Sequence, residues 1–181
     1  RDGAQTPGIE FSIEDKIGVV RLLEALGVDY VEGGYPGANV TDTAFFAEPR
    51  TRRAIFTAFG MTKRAGRSVS NDPGVQDVLN SAATAACFVA KSSRRQVEIA
   101  LGVAPEENLR GLRETVLASL AAGKETLIDC EHFFDGYKAD PDYALACVKT
   151  ALAAGARWVV LCDTNGGTMP DEVTRIVGEV C

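Results

Sequence analysis

The sequence predicts an α/β fold of parallel βα units, a partial (β/α)8 barrel. Three observations lead there. Short apolar runs alternate with amphipathic helical segments through short connections. The apolar runs lack two-residue alternation, as strands covered on both faces should. Polar residues gather at the C-terminal ends of several different runs, at Glu32, Thr62, Lys91, Glu131 and Asp163. Barrels assemble active sites from many strand ends at once, whereas open sheets place ligands at a single switch point. No Gly-x-Gly-x-x-Gly follows a strand, which argues against an open dinucleotide-binding sheet.

Taken in order, the predicted strands are residues 28–32, 54–59, 85–90, 126–131 and 158–163. The first helix has Ser12 as N-cap with Asp15 three residues on, and Ile13, Ile17, Val20 and Leu23 at helical spacing before a stop at Gly27. Shorter helices are expected over residues 41–53 and 73–83. Pro105 opens another at a first-turn position, with an apolar face of Leu109, Leu112, Val116 and Leu120 and an end at Gly123. The next begins near Asp140-Pro141, carries Tyr143, Ala144, Cys147 and Leu152, and ends at Gly155. A last helix starts near Pro170. A closed barrel needs eight strands and typically about 250 residues. The expectation is therefore one catalytic-barrel segment over residues 1–181, carrying parallel strands 2 to 6 with outer helices, without the first strand and the last two βα units.

Composition narrows the function. A net charge of −6 argues against a general nucleic-acid surface, because neutralising phosphates needs a basic face. No apolar run is long enough for a membrane span. The 5 cysteines are widely spaced with no Cys-x-x-Cys pair, so reduced core thiols in a cytoplasmic protein are expected.

Four loops hold the candidate chemistry. Arg1-Asp2-Gly3 sets a permanent cation beside a carboxylate; Arg can polarise a carbonyl, and Asp can ligate a hard cation. Glu32-Gly33-Gly34-Tyr35-Pro36-Gly37 puts a carboxylate at a strand end before glycines that permit close backbone approach, either to a ligand or within a tight turn. Asp129 and Glu131 alternate along one strand end and so share a face, toward the barrel mouth, and a Glu beside Phe133 and Phe134 is suited to act as a base. His132 is the one histidine of the chain, either a supporting donor, a loop residue or a substrate contact. Asp163-Thr164-Asn165-Gly166-Gly167-Thr168 offers hydroxyls and amides for a carboxylate or phosphate, with Thr168 also a candidate helix cap. Two basic clusters, Lys63-Arg64 with Arg67 and Lys91 with Arg94-Arg95, could meet the phosphates of an anionic cofactor.

Together, Arg1-Asp2-Gly3-Ala4-Gln5, the Gly33–Gly37 turn, Glu131-His132-Phe133-Phe134-Asp135-Gly136-Tyr137-Lys138 and Asp163-Thr164-Asn165-Gly166-Gly167-Thr168 resemble the citramalate synthases and their 2-isopropylmalate synthase relatives, metal-dependent barrels related to HMG-CoA lyase. The resemblance runs in order along essentially the whole chain. It implies a Claisen-type condensation of acetyl-CoA with a small 2-keto acid, pyruvate, followed by thioester hydrolysis. It implies Asp2 as a ligand of a divalent metal (Mg, Mn or Zn), Arg1 as the group polarising the keto carbonyl, and Glu131 as the residue assisting enolisation. Thr164 would hold the keto-acid carboxylate, and Gln5, Glu32 and Asp129 would line the substrate pocket. It implies further that a His-x-His pair of metal ligands lies beyond the sixth strand, so that residues 1–181 alone would be inactive, and that the whole protein is a homodimer. The alternatives are a 2-isopropylmalate or homocitrate synthase, a lyase of the same barrel family, or a non-catalytic half-barrel interaction module. Residues 91–95 depart from the Trp- and His-containing segment that the resemblance leads one to expect.

Overall fold

The computed structural model describes residue 1 and residues 3–181 in full, and Asp2 only as part of a backbone turn. One sheet of five strands organises the chain, in the order β1-β2-β3-β4-β5. The strands are β1 (Tyr30–Glu32), β2 (Ile55–Met61), β3 (Ala85–Lys91), β4 (Glu125–Glu131) and β5 (Trp158–Leu161). Every neighbouring pair is parallel. Sequential parallel order with a helical crossover at each step is the half-barrel that the sequence predicts.

The helices are α1 (Ile13–Leu26), α2 (Val40–Phe45), α3 (Pro73–Asn80), α4 (Pro105–Ala121), α5 (Phe133–Ala139), α6 (Pro141–Ala154) and α7 (Pro170–Val180). The Ser12–Asp15 capping box forms, and Gly27 closes α1 in the left-handed conformation. Asp140 caps α6 through the Tyr143 amide. Three expectations need correction. The helix expected over residues 41–53 stops at Phe45, where Pro49 and the arginine-rich stretch beyond it offer no apolar face. Leu120 and Leu152 are exposed, and Ser119, Val148 and Ala151 take the inner positions of α4 and α6 instead. Thr168 is not the cap of α7; Met169 holds that position, and its amide donates to Glu172 at 3.0 Å.

The two faces of β4 divide cleanly, whereas β2 and β3 are buried on both. On β4, Thr126, Ile128 and Cys130 are buried toward the helices, while Leu127, Asp129 and Glu131 are half-buried on the concave face. The register aligns Val89 with Asp129 and Lys91 with Glu131. The core between sheet and helices includes Phe56, Phe88, Ile128, Leu112, Val116, Phe133 and Cys147. Phe45, Phe46 and Phe56 form an aromatic cluster, with the Phe46 and Phe56 rings stacked at 4.6 Å. Cys87, Cys130 and Cys147 are buried, Cys162 is half-buried and Cys181 is exposed; none is in a disulfide. The exposed Cys181 corrects the expectation of core thiols throughout. No helix is long and apolar enough to cross a membrane, among the described residues.

Candidate active site

The strand exits are stitched together beyond the regular ladder, which fixes the loops that carry the candidate residues. The Ser92 amide donates to the Glu131 carbonyl at 2.9 Å, and the Phe133 amide to the Cys162 carbonyl at 3.1 Å. Helix α5, whose start carries no side-chain cap, begins immediately after β4. It needs His132 in the left-handed region, at φ 58°, the one non-glycine residue there among those described. It also needs Gly136, because a Cβ at that position would overlap the Ser92 carbonyl oxygen. Phe133 and Phe134 are buried in the core.

At the β1 exit, Arg1 and Glu32 come together. The Arg1 main-chain nitrogen donates to the Glu32 carbonyl at 3.1 Å, and the guanidinium pairs with the Glu32 carboxylate. The guanidinium also stands 3.9 Å over the Phe59 ring of β2, a contact that further orients the fork. Gln5 shares with Arg1 a cavity of about 500 Å³, bounded also by Phe11, Lys16, Tyr35 and Phe59. Gly33 and Gly34 do permit close approach, but to protein: a Cβ would crowd Phe45 at the first and Asp42 at the second. Asp42 accepts from the Tyr35 amide at 2.9 Å and pairs with Lys16, so the glycine turn is held from below.

Asp129 and Glu131 share the concave face as expected. The Cys87 thiol of β3 lies against Asp129 and Glu32; burial, together with those two carboxylates, pushes its pKa strongly up, so it is a neutral thiol. Glu131 pairs with Lys91 across the β3–β4 ladder. The sequence placed Lys91 with phosphate-binding cations; its in-register partner on the next strand was not legible before pairing was known. Lys63 is buried and paired with Glu107 and Glu114, and Arg94 pairs with Asp140, so these two cations of the basic clusters are engaged within the protein. The Thr164 hydroxyl oxygen accepts from the His132 amide at 2.8 Å, which sets this loop beside the β4 exit. Asp163 accepts from the Thr168 amide at 3.0 Å and hydroxyl at 2.9 Å, closing the loop on itself. These bonds, the Thr168 amide first, hold the Asp163 carboxyl below the usual aspartate range.

Asp2, the expected metal ligand, lies outside the described residues as to its side chain. Among the described residues, no three His, Cys, Asp or Glu side chains come together as a metal site. Glu32 and Glu131 are each engaged by a cation. The described side chains do not by themselves make up a ligand set.

The HMGL-like family model matches residues 1–181. The chain belongs to the HMGL-like family. The relatives it resembles include the (R)-citramalate synthase of Streptomyces coelicolor, 47% identical over 99% of this chain and 34% of that protein. The (R)-citramalate synthase of Aquifex aeolicus is 44% identical over 99% of the chain and 35% of that protein. The 2-isopropylmalate synthase of Afipia carboxidovorans is more distant, 30% identical over 97% of the chain and 33% of that protein. The chain thus spans about a third of the length of the curated relatives it matches. Among solved structures, the HMG-CoA lyase of Bacillus subtilis superposes with a TM-score of 0.78, covering 99% of this chain and 61% of that one. At 18% identity, that likeness shows the HMGL-like barrel fold alone.

Proposed function

We propose that the protein carrying this HMGL-like chain is a citramalate-synthase-like acyltransferase that condenses acetyl-CoA with pyruvate. The observation that carries the reading is the 40–47% identity to (R)-citramalate synthases along 99% of the chain. The site geometry is compatible with it. Arg1, braced by Glu32 and Phe59, presents a cation where a keto carbonyl would gain charge. Glu131, at a strand end on the concave face, is the base for the thioester methyl group. Thr164 accepts from a backbone amide and keeps its O–H proton to give to the keto-acid carboxylate. Gln5 lines the cavity that Arg1 shares, and Glu32 and Asp129, which flank the Cys87 thiol, would face the substrate. A divalent metal, bound with Asp2 as this chain's ligand, would supply Lewis acidity to the keto acid.

A second reading, 2-isopropylmalate synthase, is favoured by the more distant matches at 30–33% identity. The same chemistry would then act on a larger keto acid. A panel of 2-keto acids incubated with acetyl-CoA and the full-length protein, scored by release of free CoA, separates the two. Citramalate from pyruvate as the preferred product supports the proposal. Preference for a branched keto acid, or no CoA release with any, overturns it.

A further inference from the structure

We propose that Lys91 is a catalytic residue: the cation that meets the enolate oxygen while Glu131 takes the proton. The inference rests on the synthase reading above and assigns a role to a residue which that reading leaves without one. Four observations carry it. The parallel register sets Lys91 directly beside Glu131 at the ends of β3 and β4, and their side chains pair. Both remain accessible from the concave face, with side-chain exposures of 16% and 26%. Both charged ends therefore face the concave side, where a ligand can meet them. The Lys91 backbone is also fixed at the strand exit. The buried Asn108 donates to the Lys91 carbonyl at 2.9 Å and to the Tyr143 hydroxyl at 2.8 Å. Lys91 also lines a cavity of about 420 Å³, bounded by Met61, Val89 and Val103 together with Lys63, Arg64 and Glu107, with room for a thioester chain.

The chemistry needs such a pair. Enolising a thioester breaks a methyl C–H bond. The proton goes to a Glu131 carboxylate oxygen, the C–H electron pair forms the C=C bond, and the carbonyl π pair moves to oxygen. That oxygen gains the negative charge that the carboxylate loses. An ammonium already lying on the carboxylate is placed to follow the charge across a few ångströms. Lys91 neither gains nor loses a proton, and the enolate carbon then attacks the keto carbon. A base without a neighbouring cation would leave the enolate charge unmatched.

The test uses the full-length protein with K91M, K91R and K91Q. For K91M, kcat is expected to fall by about 10²–10³, the cost of losing one oxyanion donor. KM for acetyl-CoA and for pyruvate should stay within about threefold, and K91R should recover at least about tenfold of the loss, on the same scale. The deuterium isotope effect with methyl-deuterated acetyl-CoA should grow in K91M, because proton transfer becomes slower than the later steps. The double variant E131Q/K91M should lose little more than the worse single variant, as for groups acting in one step. An unchanged kcat in K91M overturns the proposal while leaving the synthase reading intact. A raised KM for acetyl-CoA with kcat retained also overturns it, and makes Lys91 a phosphate contact. A wild-type protein that forms no citramalate removes the reading on which the proposal stands. If K91M does not fold, K91Q, uncharged and able to hydrogen-bond, is read in its place by the same criteria.

Discussion

The Tyr30 hydroxyl of β1 accepts a hydrogen bond from the Trp158 indole of β5 at 2.9 Å, joining residues 128 positions apart across the concave interior. The same hydroxyl donates to the Glu125 carboxylate of β4. These contacts sit at the N-terminal ends of the strands, opposite the candidate active site, where barrels keep residues for stability. Tyr30→Phe removes both bonds and should cost about 0.5–1.5 kcal/mol, read as a lower urea midpoint with an unchanged slope. A variant as stable as the wild type would show that the curl of the sheet does not depend on this contact.

Gly136 brings α5 close against the Ser92–Ser93 backbone that follows β3. Gly136→Ala must displace α5 from the Ser92–Ser93 backbone, since backbone atoms cannot yield as a flexible side chain does. A loss of about 1–3 kcal/mol is expected in chemical denaturation, in the range for overpacked cores. An unperturbed midpoint would mean that α5 can shift freely relative to the β3 exit.

The thiols should differ sharply in reactivity. Burial pushes Cys147 up to about 11, and Cys130 and Cys162 to about 12. A thiolate is the nucleophile, so brief alkylation at neutral pH should label the exposed Cys181 and spare these three. Peptide mass spectrometry reads the sites directly; early labelling of Cys130 would contradict its placement under the sheet.

The Asp163–Thr168 contact makes a pH prediction. A carboxyl held below its ordinary value stabilises the folded loop above the unfolded pKa, and that contribution is lost as pH falls through the folded pKa. In an NMR titration the Asp163 midpoint should therefore lie below that of a free aspartate. In Thr168→Val, which keeps the amide bond but loses the hydroxyl, it should move part of the way back up. A midpoint that does not move would assign the shift to the amide alone.

Much of this was legible in the sequence, because it depends on local signals. Ser12, Gly27, Pro105, Asp140 and Gly155 mark helix ends through their own backbone preferences, and each stands where expected. Asp129 and Glu131 share a face because the strand period is two. What escaped depended on pairing between elements. Lys91 beside Glu131, Cys87 between two carboxylates and Arg1 over Phe59 are set by register, which no single segment encodes. Helix α5 was missed because its start uses a left-handed His132 where no usual cap residue stands. Phe133 and Phe134, neighbours of Glu131 in the sequence, pack edge to face in the core.

The most direct test of the central claim is the rate of citramalate formation by the full-length protein carrying Glu131→Gln. The substitution keeps the shape and hydrogen-bonding reach of the side chain at the end of β4 but removes the base. With pyruvate and acetyl-CoA saturating, turnover should fall by about 10²–10⁴, the usual worth of general-base assistance, with KM for pyruvate nearly unchanged. Condensation at the wild-type rate would contradict the assignment of Glu131 as the base and the proposed mechanism with it.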